Sequence, residues 1–238
     1  MNIFVTGTDT DVGKTIITAG LAGVMQSLGY EMAVYKPVQT GCSIVKNKFT
    51  APDLEVVKKV DSNIKTNSTY NFKPAVSPSL ACDLNGSEIN LNLILKDFTD
   101  MKEQADIVIT EGAGGLMSPV YKKTLMADVA AFLKLPVLIV TKPYLGAINH
   151  TLLTIKAAQG YGLDILGVVM NLYPQGTKDM TIKTCAKYIK EISDIEILGV
   201  VPKLPAENGA VNPESLISAV LKNVDLTKVF RMEIPKLL

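Results

Sequence analysis

Lys14 and Thr15 stand side by side directly after Gly13, at the head of an apolar run. An ammonium there can pair with β/γ-phosphates, and the adjoining hydroxyl can ligate Mg²⁺. The residues before them, Gly7 to Gly13, form a small, polar, glycine-flanked loop whose backbone N–H groups can face an anion. The spacing departs from G-x-x-x-x-G-K-T, because Thr8 occupies the position that pattern gives to glycine and five residues separate Gly7 from Gly13. A βα turn that merely favours glycine would not explain Lys14 and Thr15 at this spacing. Further along the chain stand Lys36 with Thr40 in YKPVQTG, Glu111 in EGAGG and Asn171 in VMN. A carboxylate after a buried strand, followed by glycines that let a ligand approach the backbone, suits a second phosphate-site element holding Mg²⁺. Asp53 admits two readings, the N-cap of a helix or a side chain facing the phosphates.

The elements that must position these residues alternate strand and helix. Asn2–Thr6 reads as a buried strand, and Ile17, Leu21, Val24 and Leu28 as one helical stripe stopped by Gly29. Glu31–Tyr35 is the second strand. Pro37 is expected to end its pairing, leaving Lys36 at the carboxyl end, where open α/β sheets bind ligands. Residues 42–52 read as a polar, mobile loop, 53–60 as helix, 68–72 as a short strand, 73–79 as a proline-punctuated loop and 91–101 as helix. Asp106–Thr110 is a strand with Glu111 at its tip. Helix 124–134, strand 136–141, helix from about 148, strand 163–170 ending in Asn171, helix 178–192, strand 196–202 and helix 213–222 complete the pattern. The alternation predicts a doubly wound, mainly parallel α/β sheet with helices on both faces and a phosphate loop at its first βα turn. It is read as one domain over residues 1–238, with the polar signals gathered at one edge of the sheet.

Composition narrows the function classes. Nearly half of the 238 residues are apolar and the net charge is +1, which gives no reason to expect nucleic acid as a partner. Cys42, Cys82 and Cys185 lack metal-ligand spacing, and a single histidine, His150, leaves little material for a His-based triad. No stretch approaches a membrane span and no basic segment precedes the first apolar run, so the expectation is a cytoplasmic protein.

VTGTDTDVGKT, YKPVQTG, EGAGG, LGAINH and VMN, in this order, resemble the dethiobiotin synthetases, the ATP-dependent enzymes of biotin synthesis, from residue 3 to about 208. The resemblance accounts for the five-residue loop and implies a fold of the phosphate-loop NTPase type. It implies a ligase that joins CO₂ to 7,8-diaminopelargonic acid and closes the cyclic urea of dethiobiotin, with ATP as co-substrate and Mg²⁺ as cofactor. It also implies Lys36 and Lys14 as catalytic residues, and Thr15, Asp53 and Glu111 as metal ligands. Nucleotide contacts would come from Asp11, where the family commonly has glutamate, and from Val12, Gly13, Lys14, Thr15, Ile16, Asp53, Glu111, Gly112, Ala113 and Gly114. Asn171, matching an adenine-reading asparagine, Leu172, Pro202, Lys203, Leu204 and Glu207 complete that set. Substrate contacts would come from Thr10, Lys36, Thr40, where serine is frequent in the family, and Leu145, Gly146, Ala147, Ile148 and Asn149. The last five open a helix directed at the substrate carboxylate of a second copy, which implies a homodimer with sites at its interface, to which Tyr188 is a further candidate contributor.

Three other readings compete. A cobyrinic-acid-type amidoligase generally needs a glutaminase domain that this length does not accommodate. A MinD/ParA-like switch ATPase carries a signature lysine early in the loop, where this chain has Asp9. A bland nucleotide-binding domain leaves Lys36 and Thr40 unexplained.

Overall fold

A computed structural model describes residues 1–45, 48–207 and 210–234. In chain order the elements are β1 (Ile3–Gly7), α1 (Lys14–Ser27), β2 (Met32–Gln39), β3 (Ser43–Val45), β4 (Lys48–Thr50), α2 (Pro52–Val60), β5 (Lys65–Asn71), α3 (Pro78–Leu84), α4 (Leu91–Lys102), β6 (Ile107–Gly115), β7 (Pro119–Tyr121) and β8 (Thr124–Leu125). They continue with α5 (Met126–Phe132), β9 (Val137–Thr141), α6 (Ala147–Gly160), β10 (Ile165–Tyr173), α7 (Met180–Ser193), β11 (Ile197–Pro202), β12 (Ala206–Glu207), β13 (Ala210–Val211), α8 (Pro213–Asn223) and α9 (Leu226–Phe230).

Seven of the strands form one sheet in the order β11-β10-β9-β1-β6-β2-β5, and every neighbouring pair is parallel. A parallel sheet must be covered on both faces, so its strands are apolar on both sides. In β1, Ile3 and Val5 pack with Ile17, Leu21 and Val24 of α1 and with Leu216 and Val220 of α8. Phe4 points the other way, among Ile94 and Phe98 of α4, Met126 of α5 and Ile155 of α6. Period-2 alternation thus builds two cores from one strand.

Several elements differ from the sequence expectations. Pro37 does not end β2. Pairing with β6 stops at Tyr35, but pairing with β5 continues to Gln39, so Lys36 lies inside a strand and not at its end. Glu111 is likewise inside β6, because β1 stays in register with it from Ile3↔Ile109 through Val5↔Glu111, and again at Gly7↔Gly115 beyond a bulge. Asn171 lies within β10, which runs to Tyr173. The stretch 42–52 is not a plain loop: β3 and β4 pair as an antiparallel hairpin. Residues 78–84 form the short helix α3, whose first residue is a proline, a favoured helix start. The helix expected from Thr124 begins at Met126, after the two-residue strand β8, and α9 follows α8 as a further short helix.

Candidate active site

The registers bring the polar residues together. Tyr35↔Thr110 makes Lys36 and Glu111 the next cross-strand neighbours of β2 and β6, and Val5↔Glu111 sets that pair beside the end of β1. From there the chain turns through the loop into α1, and Thr15 of its first turn reaches back to the same place. Its hydroxyl donates to Glu111 Oε1 at 2.8 Å. The Lys36 ammonium, 3% exposed, lies 2.8 Å from Glu111 Oε1 and 2.5 Å from Asp53 Oδ2, and donates to the Gly112 carbonyl at 3.1 Å. Asp53 reaches it because Ala51 is the N-cap of α2 and Pro52 opens the helix, which places Asp53 in the first turn with its side chain free.

Burial acts to lower the Lys36 pKa, but Glu111 and Asp53 outweigh it and hold the ammonium above the usual lysine range. Burial would raise the Asp53 carboxyl, but Lys36 holds it below the usual range. Lys14 is shifted the other way: desolvation lowers it, with Glu111 opposing. Its Nζ arches back over the loop to donate to the Asp9 carbonyl at 2.8 Å. The loop shape depends on Gly13, whose φ of 85° lies in the left-handed region and whose Cβ, if present, would stand 2.1 Å from Asn171 Nδ2. That nitrogen donates to the carbonyls of Val12, at 3.1 Å, and Gly13, at 3.4 Å.

A cavity of about 780 Å³ opens on this cluster. It is lined by Thr10, Asp11, Gly13, Lys14 and Thr15 of the loop and α1, by Lys36 and Thr40, and by Asp53, Glu111, Ala113 and Gly114. Val12 is fully buried beneath the loop, Gly112 contributes its carbonyl to Lys36, and Ile16 follows in α1 against the core. Asn171 is buried under the loop, and Leu172 beside it has a φ of 56°. Pro202 ends β11, followed by the exposed Lys203 and by Leu204, which packs on the core; the side chain of Glu207 lies outside the described residues. Leu145, 86% exposed, and Gly146, the N-cap at a φ of 103°, precede Ala147, Ile148 and Asn149 in the first turn of α6. These five do not line the cavity. Tyr188 is exposed on α7. His150 is bound through Nδ1 to the Tyr144 hydroxyl at 2.5 Å and lines a second cavity of about 450 Å³, which shares Ser118 with the first.

The cavity is also lined by residues outside the sequence-based site: Pro52, the stretch 75–78 at the start of α3, Gln39 and Ser118. Gln39, inside YKPVQTG, is buried with its Oε1 unpartnered, and a polar residue within a strand between two apolar layers is the signal for it. Ser118 accepts the Gly115 N–H at 2.8 Å and braces the glycine turn. The donor set at the centre is all oxygen: the Thr15 hydroxyl, the Asp53 and Glu111 carboxylates, and a buried Glu111 Oε2 that has no partner. Such a set fits a hard divalent cation that keeps further positions for phosphate and water. Among the described residues no group of three or more His, Cys, Asp or Glu side chains forms a closed metal site, and no helix is long and apolar enough to cross a membrane.

A family profile described as an AAA domain matches residues 1–210. The ATP-dependent dethiobiotin synthetase of Bacillus subtilis subsp. natto is 34% identical over 224 residues, covering 94% of this chain and 95% of that one. That of Bacillus thuringiensis (strain Al Hakam) is 34% identical over 207 residues, covering 86% and 84%. Among solved structures, the MinC:MinD cell division protein complex of Aquifex aeolicus superposes with a TM-score of 0.59 over 100% of this chain and 98% of that one. Its identity of 15% makes that a likeness of fold.

Proposed function

The chain belongs to the dethiobiotin synthetase family, and from that premise we propose how the residues around Lys36 divide the work of the reaction. The reaction is the ATP-dependent synthesis of dethiobiotin from 7,8-diaminopelargonic acid and CO₂. One amine adds to CO₂ to give a carbamate. A carbamate oxygen attacks the γ-phosphorus, forming a carbamic-phosphoric anhydride and ADP. The second amine attacks the carbamoyl carbon and expels phosphate, closing the ring.

The obstacle is electrostatic, since an anionic carbamate must meet a polyanionic triphosphate. Two unit charges roughly 4 Å apart repel by about 4 kcal/mol at an effective dielectric of 20. Pre-placed cations offset this best. Lys14 and the loop N–H groups hold the β/γ-phosphates. Lys36 lines the same cavity as Lys14 and Thr15 and as Thr10 and Thr40, where it can bridge carbamate and γ-phosphate. Thr15, Asp53 and Glu111 would hold Mg²⁺, which when bound neutralises phosphate charge. Thr10 and Thr40 orient the diamine, and both amines lie on one bound molecule, so ring closure gains from proximity.

The whole chain works as one domain and pairs with a second copy. The first turn of α6 has no side-chain cap hydrogen bond, and the neighbouring Leu145 is exposed, which suits an N-terminus offered to the substrate carboxylate of that copy. The observation that carries the reading is the buried Lys36 joined to Glu111 and Asp53 within reach of Thr15. A switch ATPase on the same fold would have no use for it. Phosphate release from ATP is expected to require both diaminopelargonic acid and bicarbonate. Release that continues unchanged without the diamine would overturn the reading in favour of a switch.

A further inference from the structure

We propose that Lys36 is the resting counter-ion of the cation site, and that it becomes available to substrate only when a divalent cation takes its place between Asp53 and Glu111. The inference rests on reading Thr15, Asp53 and Glu111 as the cation's oxygen donors.

An ammonium has three N–H bonds and no more. Those of Lys36 face Asp53 Oδ2, Glu111 Oε1 and the Gly112 carbonyl, at 2.5, 2.8 and 3.1 Å. No donor is left for a phosphate or a carbamate. The carboxylates that hold Lys36 are the ones assigned to the metal, and Glu111 Oε1, the oxygen that faces Lys36, already takes the Thr15 hydroxyl as well. An ammonium at these distances and a dication on the same two carboxylates are like charges on shared counter-ions, and they compete for them.

Nor can Lys36 leave unreplaced. Its departure would strand the buried Glu111 carboxylate, whose second oxygen has no partner even now. The exchange is therefore coupled: Lys36 gives up the carboxylates as the cation arrives with the nucleotide, and turns its N–H bonds to the cavity. Lys36 is then offered to the carbamate only in a site already loaded with metal and triphosphate, which ties release of the catalytic lysine to ATP binding.

The test is nucleotide-free Mn²⁺ binding, read from the free-ion electron paramagnetic resonance signal. Lys36→Met removes the competing ammonium, and its Mn²⁺ affinity is expected to rise at least tenfold over wild type. Lys36→Arg keeps the charge and should stay near wild type. Unchanged or weaker Mn²⁺ binding by Lys36→Met overturns the proposal while leaving the donor assignment standing. If adding Asp53→Asn to Lys36→Met leaves the affinity untouched, the donor assignment falls and the proposal with it. Because Lys36→Met strands two carboxylates and can lose its fold without metal, a second measurement uses the wild-type chain. Acetylation of Lys36, followed by mass spectrometry, is expected to be faster with Mg²⁺-ADP than with ADP and chelator. Equal or slower labelling overturns the exchange.

Discussion

The Asn171→Ala substitution separates two roles for a buried amide. The family resemblance makes Asn171 a reader of the adenine edge, but its Nδ2 is bound to the Val12 and Gly13 carbonyls of the phosphate loop. A neutral hydrogen bond contributes about 1 kcal/mol net, and leaving a buried carbonyl unpaired costs about 1–3 kcal/mol. The 3.4 Å contact is long and weak, so the 3.1 Å bond to the fully buried Val12 dominates. About 2 kcal/mol of loop order is then at stake, and roughly two-thirds of it, if recovered on binding, corresponds to about a tenfold loss of affinity. The loss should be shared by every ligand of the loop. The assay compares ATP with inorganic triphosphate, which has no base, by calorimetry or competition, alongside a urea unfolding curve. Expected are a lower unfolding midpoint and about equal weakening of both ligands. The reasoning is refuted if ATP weakens tenfold while triphosphate binding and the midpoint stay where they were. The side chain's work would then lie with the base.

Lys36→Ala should leave ATP binding within a few-fold of wild type and reduce turnover by at least about a hundredfold, the scale of one lost transition-state donor. Loss of ATP binding alone would assign Lys36 another role. Gly13→Ala puts a Cβ 2.1 Å from Asn171 Nδ2 on a backbone at a φ of 85°; the left-handed conformation alone costs about 1–2 kcal/mol. The unfolding midpoint should fall and triphosphate binding should weaken with it. Asp53 predicts an acid dependence. Lys36 depresses its folded-state pKa, so its contribution to stability is full above the unfolded-state value, about pH 4, and is lost as pH falls through the lower folded value. Asp53→Asn lacks this contribution, so the stability gap between wild type and variant should close on acidification below about pH 4.

What the sequence makes legible here is what is contiguous or long. Gly13-Lys14-Thr15 is a local motif, and its place between strand and helix follows from two apolar runs. The seven-stranded sheet follows in the same way, because buried parallel strands are apolar on both faces. The contacts at the centre are not local. Lys36 meets Glu111 because Tyr35 pairs with Thr110, a register that a sequence separation of 75 leaves unmarked. Asp53 suited an N-cap equally well, and only the start of α2 at Pro52 frees its side chain. A proline or a polar residue reads as a strand boundary, which ends β2, β6 and β10 too early on sequence alone, whereas pairing with a neighbouring strand carries each of them on, across register shifts in β6 and β10. The β3–β4 hairpin and α3 are too short to show a period, and the hairpin exposes Ile44, Val45 and Phe49 instead of burying a face.

The fold alone does not say which bond is made, since a chain of a MinC:MinD cell division complex superposes on it at 15% identity. The charges say more. At the centre Lys14 and Lys36 balance Asp53 and Glu111, so these four groups sum to zero before any ligand arrives. A triphosphate is then drawn by the loop N–H groups and the start of α1, whose dipole is equivalent to about half a charge, and not by a surplus of lysines. Binding it without a further cation would place its negative charge beside two carboxylates whose counter-ion is fully committed. If Asp53 and Glu111 hold a dication as proposed, it would offset the phosphates and the carboxylates together and would leave Lys36 without its present partners. Lys36 lines the same cavity as Thr10 and Thr40, so a charge freed there would face a second anion bound in it. A site that only binds or hydrolyses a nucleotide gains nothing from a lysine freed in this way; a site that must bring a carbamate up to a phosphate does.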